Sequence, residues 1–343
     1  MLVINNPHYM HHLPVWEFRL GTETYRTRDI TKRAEIIQSV LKEEGSFTFR
    51  DASEFPKERL AALHTYHDFI EQICAGIVKE DEEIYPDLFP GEGFEGERKI
   101  HPLWMGMYCT DAVTPLKKGT YRAAKGSADT AMTAAEILAK GEEKRVYALC
   151  RPSGHHAGPR VFGGYCYFNN AGMAAQLLSE TFERVALLDI DFHHGNGTQE
   201  LFYERGDIFT ASMHCDPDVE YPYYTGYKKE TGRGAGEGAN LNLPLARSSD
   251  THAYLRACDE FLSAMERYQP EALVIAGGWD THEFDPIGAF KGGFPTESFR
   301  LVGERLGQIG CPTLVVQEGG YNLEVLGESA LNFLLGFRSS HNR

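Results

Sequence analysis

From about residue 120 the chain alternates between two rhythms of apolar and polar positions. Short, β-prone and nearly continuous apolar runs occur at RVYALC (145–150), RVALLDI (184–190), IFTASMH (208–214), ALVIAGG (272–278) and TLVVQEGG (313–320). Between most of them lie helical patterns: YRAAKGSADTAMTAAEILAK, NNAGMAAQLLSETF, HAYLRACDEFLSAMERY and ESFRLVGERLGQI. Strands that are apolar on both faces must be covered on both. The alternation therefore predicts an α/β fold, a mostly parallel central sheet with helices on each side. One interval departs from it, with a Tyr-, Gly- and Pro-rich loop from Asp216 to about Gly238.

The first hundred residues are less regular. TKRAEIIQSVLKEEG and PKERLAALHTYHDFIEQICAGIVKE read as amphipathic helices. YPDLFPGEGFEGERKIHP (85–102) is too long for a plain connector and reads as a functional loop, placed at about residues 80–105. Its Glu92, Glu95 and Glu97 read as solvated charge, with contact to a cationic ligand as the alternative. No linker or internal repeat divides the chain, so a single domain over residues 1–343 is expected.

Composition narrows the setting. The 343 residues carry 34 Lys and Arg against 49 Asp and Glu, a formal net charge of −15. That field repels nucleic acid and anionic membranes and mildly favours a cationic ligand. Seven scattered cysteines form no C-x-x-C pair, the usage of a reduced cytoplasmic protein. The start, MLVINNPHYMHH, does not read as a signal peptide, and no apolar run reaches the ~20 residues that span a bilayer. A soluble cytoplasmic protein is expected.

Each apolar run empties into a polar string: RPSGHHAG, DFHHGNG, HCDPD, WDTHEFDP and EGGYN. Ligands of open parallel sheets bind beyond the carboxyl ends of the strands. His155, His156, Asp189, Asp191, His193, His194, His214, Asp280 and Tyr321 are thus expected to converge. Asp189, Asp191 and His193 would share one face of an extended strand at period two. Asp191, His193 and Asp280 together offer one imidazole and two carboxylates. That set neutralises a divalent ion and leaves coordination positions open, as in a catalytic zinc site. The tandem His155-His156 suits proton transfer at neutral pH, with Asp189 and Asn196 as candidate orienting partners. An Asp partner raises a histidine's pKa more than a neutral Asn does, so the two imidazoles are expected to differ in protonation. Tyr321, after two glycines, can donate its phenolic proton to an oxyanion.

RPSGHHAG…FGGYCYFNN, DIDFHHGNGTQ, GGWDTHEFDP and QEGGYN, in this order, resemble the histone-deacetylase superfamily. Within it the chain is most similar to bacterial acetylpolyamine amidohydrolases and their histone-deacetylase-like relatives. Nearly the whole chain takes part, including GMYCTDAVTPLKKGTYRAA and FYERGDIFTASMHCDPD. The resemblance implies a single-domain arginase–deacetylase fold and hydrolysis of an acetyl or similar acyl group from the amine of a long, cationic substrate such as an acetylpolyamine. An acetyl-lysine protein or peptide is the alternative substrate. It implies zinc on Asp191, His193 and Asp280, His156 as general base and acid, His155 as its electrostatic partner, and Tyr321 as the oxyanion donor. It also implies a structural potassium ion on Asp189 and Ser212, with backbone oxygens of Asp191, His193 and Met213. Tyr165 and Tyr221 fall where aromatic walls line the family's acyl tunnel, with Gly164 beside them as a substrate contact. The acid expected just before GMYCTD is replaced by KIHPLWM, with Pro102 near that point, whereas Glu17 sits where such enzymes use another acid for a substrate ammonium. A homodimer through the early loop is compatible with the resemblance.

Two other classes are weighed against this. A binuclear manganese ureohydrolase needs a second carboxylate two residues after Asp280, where this chain has His282. A catalytically dead acyl-binding module would tend to lose a metal ligand or the tyrosine, and all are retained.

Overall fold

The computed structural model describes residues 1–19, 23–89 and 99–339. Glu92, Glu95 and Glu97 lie outside the described residues. The strands are β1 (Leu2–Asn5), β2 (Trp16–Arg19), β3 (Glu23–Arg26), β4 (Thr48–Asp51), β5 (Arg145–Leu149), β6 (Val185–Asp189), β7 (Ile208–Cys215), β8 (Asn240–Leu245), β9 (Ala272–Gly277) and β10 (Thr313–Gln317). Eight of them form one sheet in the order β4-β1-β5-β10-β9-β6-β7-β8, every neighbouring pair parallel. β2 and β3 pair separately as an antiparallel hairpin.

Alternate residues of the central strands feed two cores. Val185, Leu187, Val274, Ala276, Leu314 and Val316 pack on one face against helices 67–76, 120–139 and 170–178. Ala186, Leu188, Leu273, Ile275 and Val315 pack on the other against helices 32–44, 251–268, 296–306 and 326–339. Each fully buried aliphatic side chain contributes roughly 1.5–3 kcal/mol. The period-two alternation is therefore enough to hold the strands between two helical layers.

All five expected strands form. β1, β4 and β8 extend the sheet beyond them; β1 and β4 are only four residues long, and β4 is largely exposed. Little apolar signal marks the edge strand β4, while β1, between β4 and β5, is apolar but short. The single helix expected over PKERLAALHTYHDFIEQICAGIVKE is two, Glu58–Ala61 and His67–Gly76. The break has a tertiary cause: Thr65 N–H donates to the Pro159 carbonyl (2.9 Å), His64 Nδ1 meets the Gly158 carbonyl (2.9 Å) and Tyr66 Oη donates to the Tyr167 carbonyl (2.8 Å). Two further helices, Asn196–Phe202 and Leu326–Ser339, fall outside the predicted set.

Candidate active site

Because β5, β10, β9 and β6 are sheet neighbours, the strings that follow them meet at one carboxyl edge. Only Asp189 of the Asp-x-Asp-x-His series lies in a strand, so the expected extended face is not kept. The chain instead curls by side-chain capping. Asp189 Oδ1 accepts the Asp191 N–H (3.0 Å), and Asp191 Oδ1 accepts the His193 N–H (3.0 Å). Local side chain–backbone bonds of this kind compete with strand pairing.

The curl sets His193 Nδ1 3.2 Å from Asp191 Oδ1 and 3.1 Å from Asp280 Oδ2, all three residues buried. Their donor atoms lie within 4.8 Å of one another. Among the described residues no Lys or Arg pairs with either carboxylate. Burial and the neighbouring Asp191 charge push the Asp280 carboxyl up to about 7. At His193 burial works the other way, but bonding to Asp191 and Asp280 outweighs it and lifts the ring to about 10. Two carboxylates crowded onto one imidazole, with no Lys or Arg paired to either among the described residues, are suited to a divalent ion. The backbone leaves room for it. A Cβ at Gly278 would lie 2.1 Å from Asp191 Oδ2, and one at Gly319 would lie 2.5 Å from Asp191 Oδ2 and 2.7 Å from Asp280 Oδ2.

The tandem histidines lie side by side, ring centroids 3.9 Å apart. His155 Nδ1 meets Asp189 Oδ2 at 2.9 Å, and His156 Nδ1 meets Asn196 Oδ1 at 2.7 Å. Burial opposes charge on both rings. At His155 the Asp191 and Asp189 carboxylates outweigh it and lift the pKa well above the ordinary histidine value. At His156 burial prevails, aided by repulsion from His155 and His193, and the pKa falls well below it. The His156 ring is 6.0 Å from that of His193 and 4.8 Å from that of Tyr221.

A family model described as the histone deacetylase domain matches residues 27–337. The chain belongs to the histone deacetylase family. It is a deacetylase, a hydrolase of that family. It is 40% identical over 320 residues to acetylpolyamine amidohydrolase 1 of Pseudomonas aeruginosa, covering 91% of this chain and 92% of the relative. It is 39% identical over 320 residues to the acetylpolyamine amidohydrolase of Mycoplana ramosa, covering 89% and 90%. The crystal structure of acetylpolyamine aminohydrolase from Burkholderia pseudomallei superposes with a TM-score of 0.92 at 35% identity, covering 99% of each chain.

The deacetylase has a cavity of about 480 Å³ whose walls include His156, His193, Gly164, Tyr165, Tyr221 and Tyr321. Tyr165 and Tyr321 rings are 5.6 Å apart. Gly164 has φ +59°, and a Cβ there would stand 2.3 Å from His156 Cδ2, so only glycine fits. Glu17 is not part of the wall. It is 1% exposed, accepts the Tyr165 hydroxyl, and pairs with Arg19 Nε at 2.9 Å. Asp189 and Ser212 are register partners on β6 and β7, next to Met213. Ser212 Oγ meets His214 Nδ1 at 2.8 Å, while His214 Nε2 meets the Gly226 carbonyl at 2.9 Å. That carbonyl requires a proton on Nε2, so the serine donates to Nδ1 and keeps its lone pairs free. His282 stands apart, against Thr296.

Four residues of the deacetylase site were not singled out from sequence. Arg33 lies over the Tyr321 ring (4.5 Å) and donates to the Gly320 and Glu318 carbonyls, each at 2.7 Å. Asp285 accepts the Tyr321 (2.7 Å) and Asn322 (3.1 Å) N–H groups. Buried Glu318 accepts the Gly154 (2.7 Å) and His155 (3.2 Å) N–H groups, tying the tandem histidines to β10. Arg19 is the fourth. Asp285 and Glu318 stand inside the polar strings quoted above, a signal that was available; Arg33 and Arg19 carry none.

Proposed function

We propose that this protein is a zinc-dependent deacetylase of acetylated aliphatic amines, acetylpolyamines being the class toward which the names of its relatives point. Asp191, His193 and Asp280 would hold the ion. When bound, zinc polarises the scissile carbonyl and makes water nucleophilic near neutral pH. His156, with Nδ1–H held by Asn196, turns an unprotonated Nε2 toward the cavity; it takes the proton of the attacking water and returns it to the leaving amine. His155, kept cationic by Asp189, stabilises the negative charge that develops. Tyr321 donates its hydroxyl to the carbonyl oxygen as that becomes an oxyanion. Tyr165 and Tyr221 flank the aliphatic chain and keep water from it. The Asp189–Ser212 pairing and the free serine lone pairs support potassium behind this site. No helix among the described residues is long and apolar enough to cross a membrane, and the seven unpaired cysteines favour the cytoplasm.

One observation carries the proposal: two carboxylates and an imidazole from different strand ends converge, with no Lys or Arg paired to the carboxylates among the described residues, at the foot of an aromatic-walled cavity. Acetate release from acetylcadaverine, acetylspermidine and an acetyl-lysine peptide, with zinc-loaded and chelator-stripped enzyme, tests it. Turnover that survives complete metal removal would sink it.

A further inference from the structure

Charges around the cavity are mostly committed. Asp111 accepts the Val113 (2.9 Å) and Gly164 (2.5 Å) N–H groups. Glu220 accepts from Arg247 (2.8 Å) and from the Tyr221 N–H (3.1 Å). Arg19 is different. It lines the same cavity as His156 and Tyr321, and its side chain is 36% exposed. Its Nε donates to Glu17 (2.9 Å) and its Nη2 to the Tyr165 hydroxyl (2.8 Å). Among the described residues Nη1 has no partner. The Glu17 side chain, only 2% exposed, lies behind the guanidinium. The pair thus turns its positive end toward the cavity and hides its negative end.

Tyr321, Tyr165 and Arg19 follow one another along one wall of the cavity, the two rings 5.6 Å apart and Arg19 bonded to the Tyr165 hydroxyl, so a chain that lies along this wall with its carbonyl at Tyr321 brings its far end to Arg19. A planar guanidinium with free donors matches a carboxylate or carbonyl and repels an ammonium. We propose that Arg19 is a specificity-determining residue that favours acylated amines with a carboxylate or carbonyl at the far end over those ending in an ammonium. The inference rests on the deacetylase activity proposed above. Acetylpolyamines share the scissile half of such a molecule, and their far ammonium is the part Arg19 disfavours.

The test compares kcat/KM of zinc-loaded enzyme on three substrates with one pentyl chain: N-acetyl-6-aminohexanoate, N-acetylcadaverine and N-pentylacetamide. With the neutral substrate as reference, Arg19→Gln lowers the relative value for the carboxylate about tenfold, the scale of one charge-assisted hydrogen bond, and raises that for acetylcadaverine. Arg19→Lys keeps the order of the unmodified enzyme. A common factor on all three substrates in Arg19→Gln would mean that Arg19 only props Tyr165, and would overturn the inference, as would no change. If the unmodified zinc-loaded enzyme hydrolyses none of the three, the deacetylase proposal itself fails and the inference with it.

Discussion

Gly319→Ala is the sharpest probe of the metal centre, because it changes neither a ligand nor a charge. Gly319 is not in the left-handed region, so alanine is tolerated by its backbone. The added Cβ, however, would stand 2.5 Å from Asp191 Oδ2 and 2.7 Å from Asp280 Oδ2, where ordinary contact begins at 3.4 Å. The two oxygens must therefore retreat by about 0.9 and 0.7 Å, or the β10 end must move instead. Metal–ligand distances tolerate only about 0.2 Å. A shift several times larger in two of three ligands should cost at least about a hundredfold in zinc affinity, the upper end of what indirect perturbations produce. Overpacking should cost about 1–3 kcal/mol of stability, too little to unfold a domain of this size. Zinc affinity by competition with a chromophoric chelator, alongside the melting temperature, separates the two effects. Gly310→Ala is the matched control, since a Cβ there meets nothing within 4 Å. If folded Gly319→Ala binds zinc within about threefold of the unmodified protein, the ligand cradle has been misread.

Asp280→Ala is expected to lose zinc and turnover together; measurable acetate release from the purified, folded variant would count against the metal assignment. Tyr321→Phe should retain zinc but lose about a hundredfold to a thousandfold in kcat, the effect of removing one oxyanion donor; near-normal kcat would remove Tyr321 from the chemistry. His64 supplies a test independent of the metal. Its Nδ1 faces the Gly158 carbonyl and its Nε2 accepts the Asn169 N–H (2.9 Å), so the fold requires it neutral, and burial lowers it from 6.5 to about 4. The unfolded chain takes up that proton more readily, so this contribution is complete above pH 6.5 and is lost as pH falls toward 4, about 3 kcal/mol in all. Urea midpoints across that window should fall less steeply in His64→Asn than in the unmodified protein; parallel curves would refute the assignment.

Much of the site was legible because its signals are local. A strand buried on both faces must be apolar, so Asp189, Asp191, His193, Asp280 and Tyr321 at strand ends stand out against their own surroundings. The difference between the two histidines was also readable, since Asp and Asn partners act on an imidazole with different charge. Glu17 shows where such reasoning stops: its position was legible, but its commitment to Arg19 and Tyr165 depends on how the β2–β3 hairpin lies against the cavity.

By itself, then, the chain determined the five central strands and their alternation with helices, that both faces of those strands are buried, and which ligand types sit at the carboxyl edge, since each is written in the spacing of neighbouring residues. Tertiary structure decided the order of strands in the sheet, the break after Ala61, the capping curl after Asp189, and the placing of Arg33 over Tyr321 and Arg19 at the cavity wall. These depend on which distant groups satisfy each other's hydrogen bonds and charges, and no local period records such a partner.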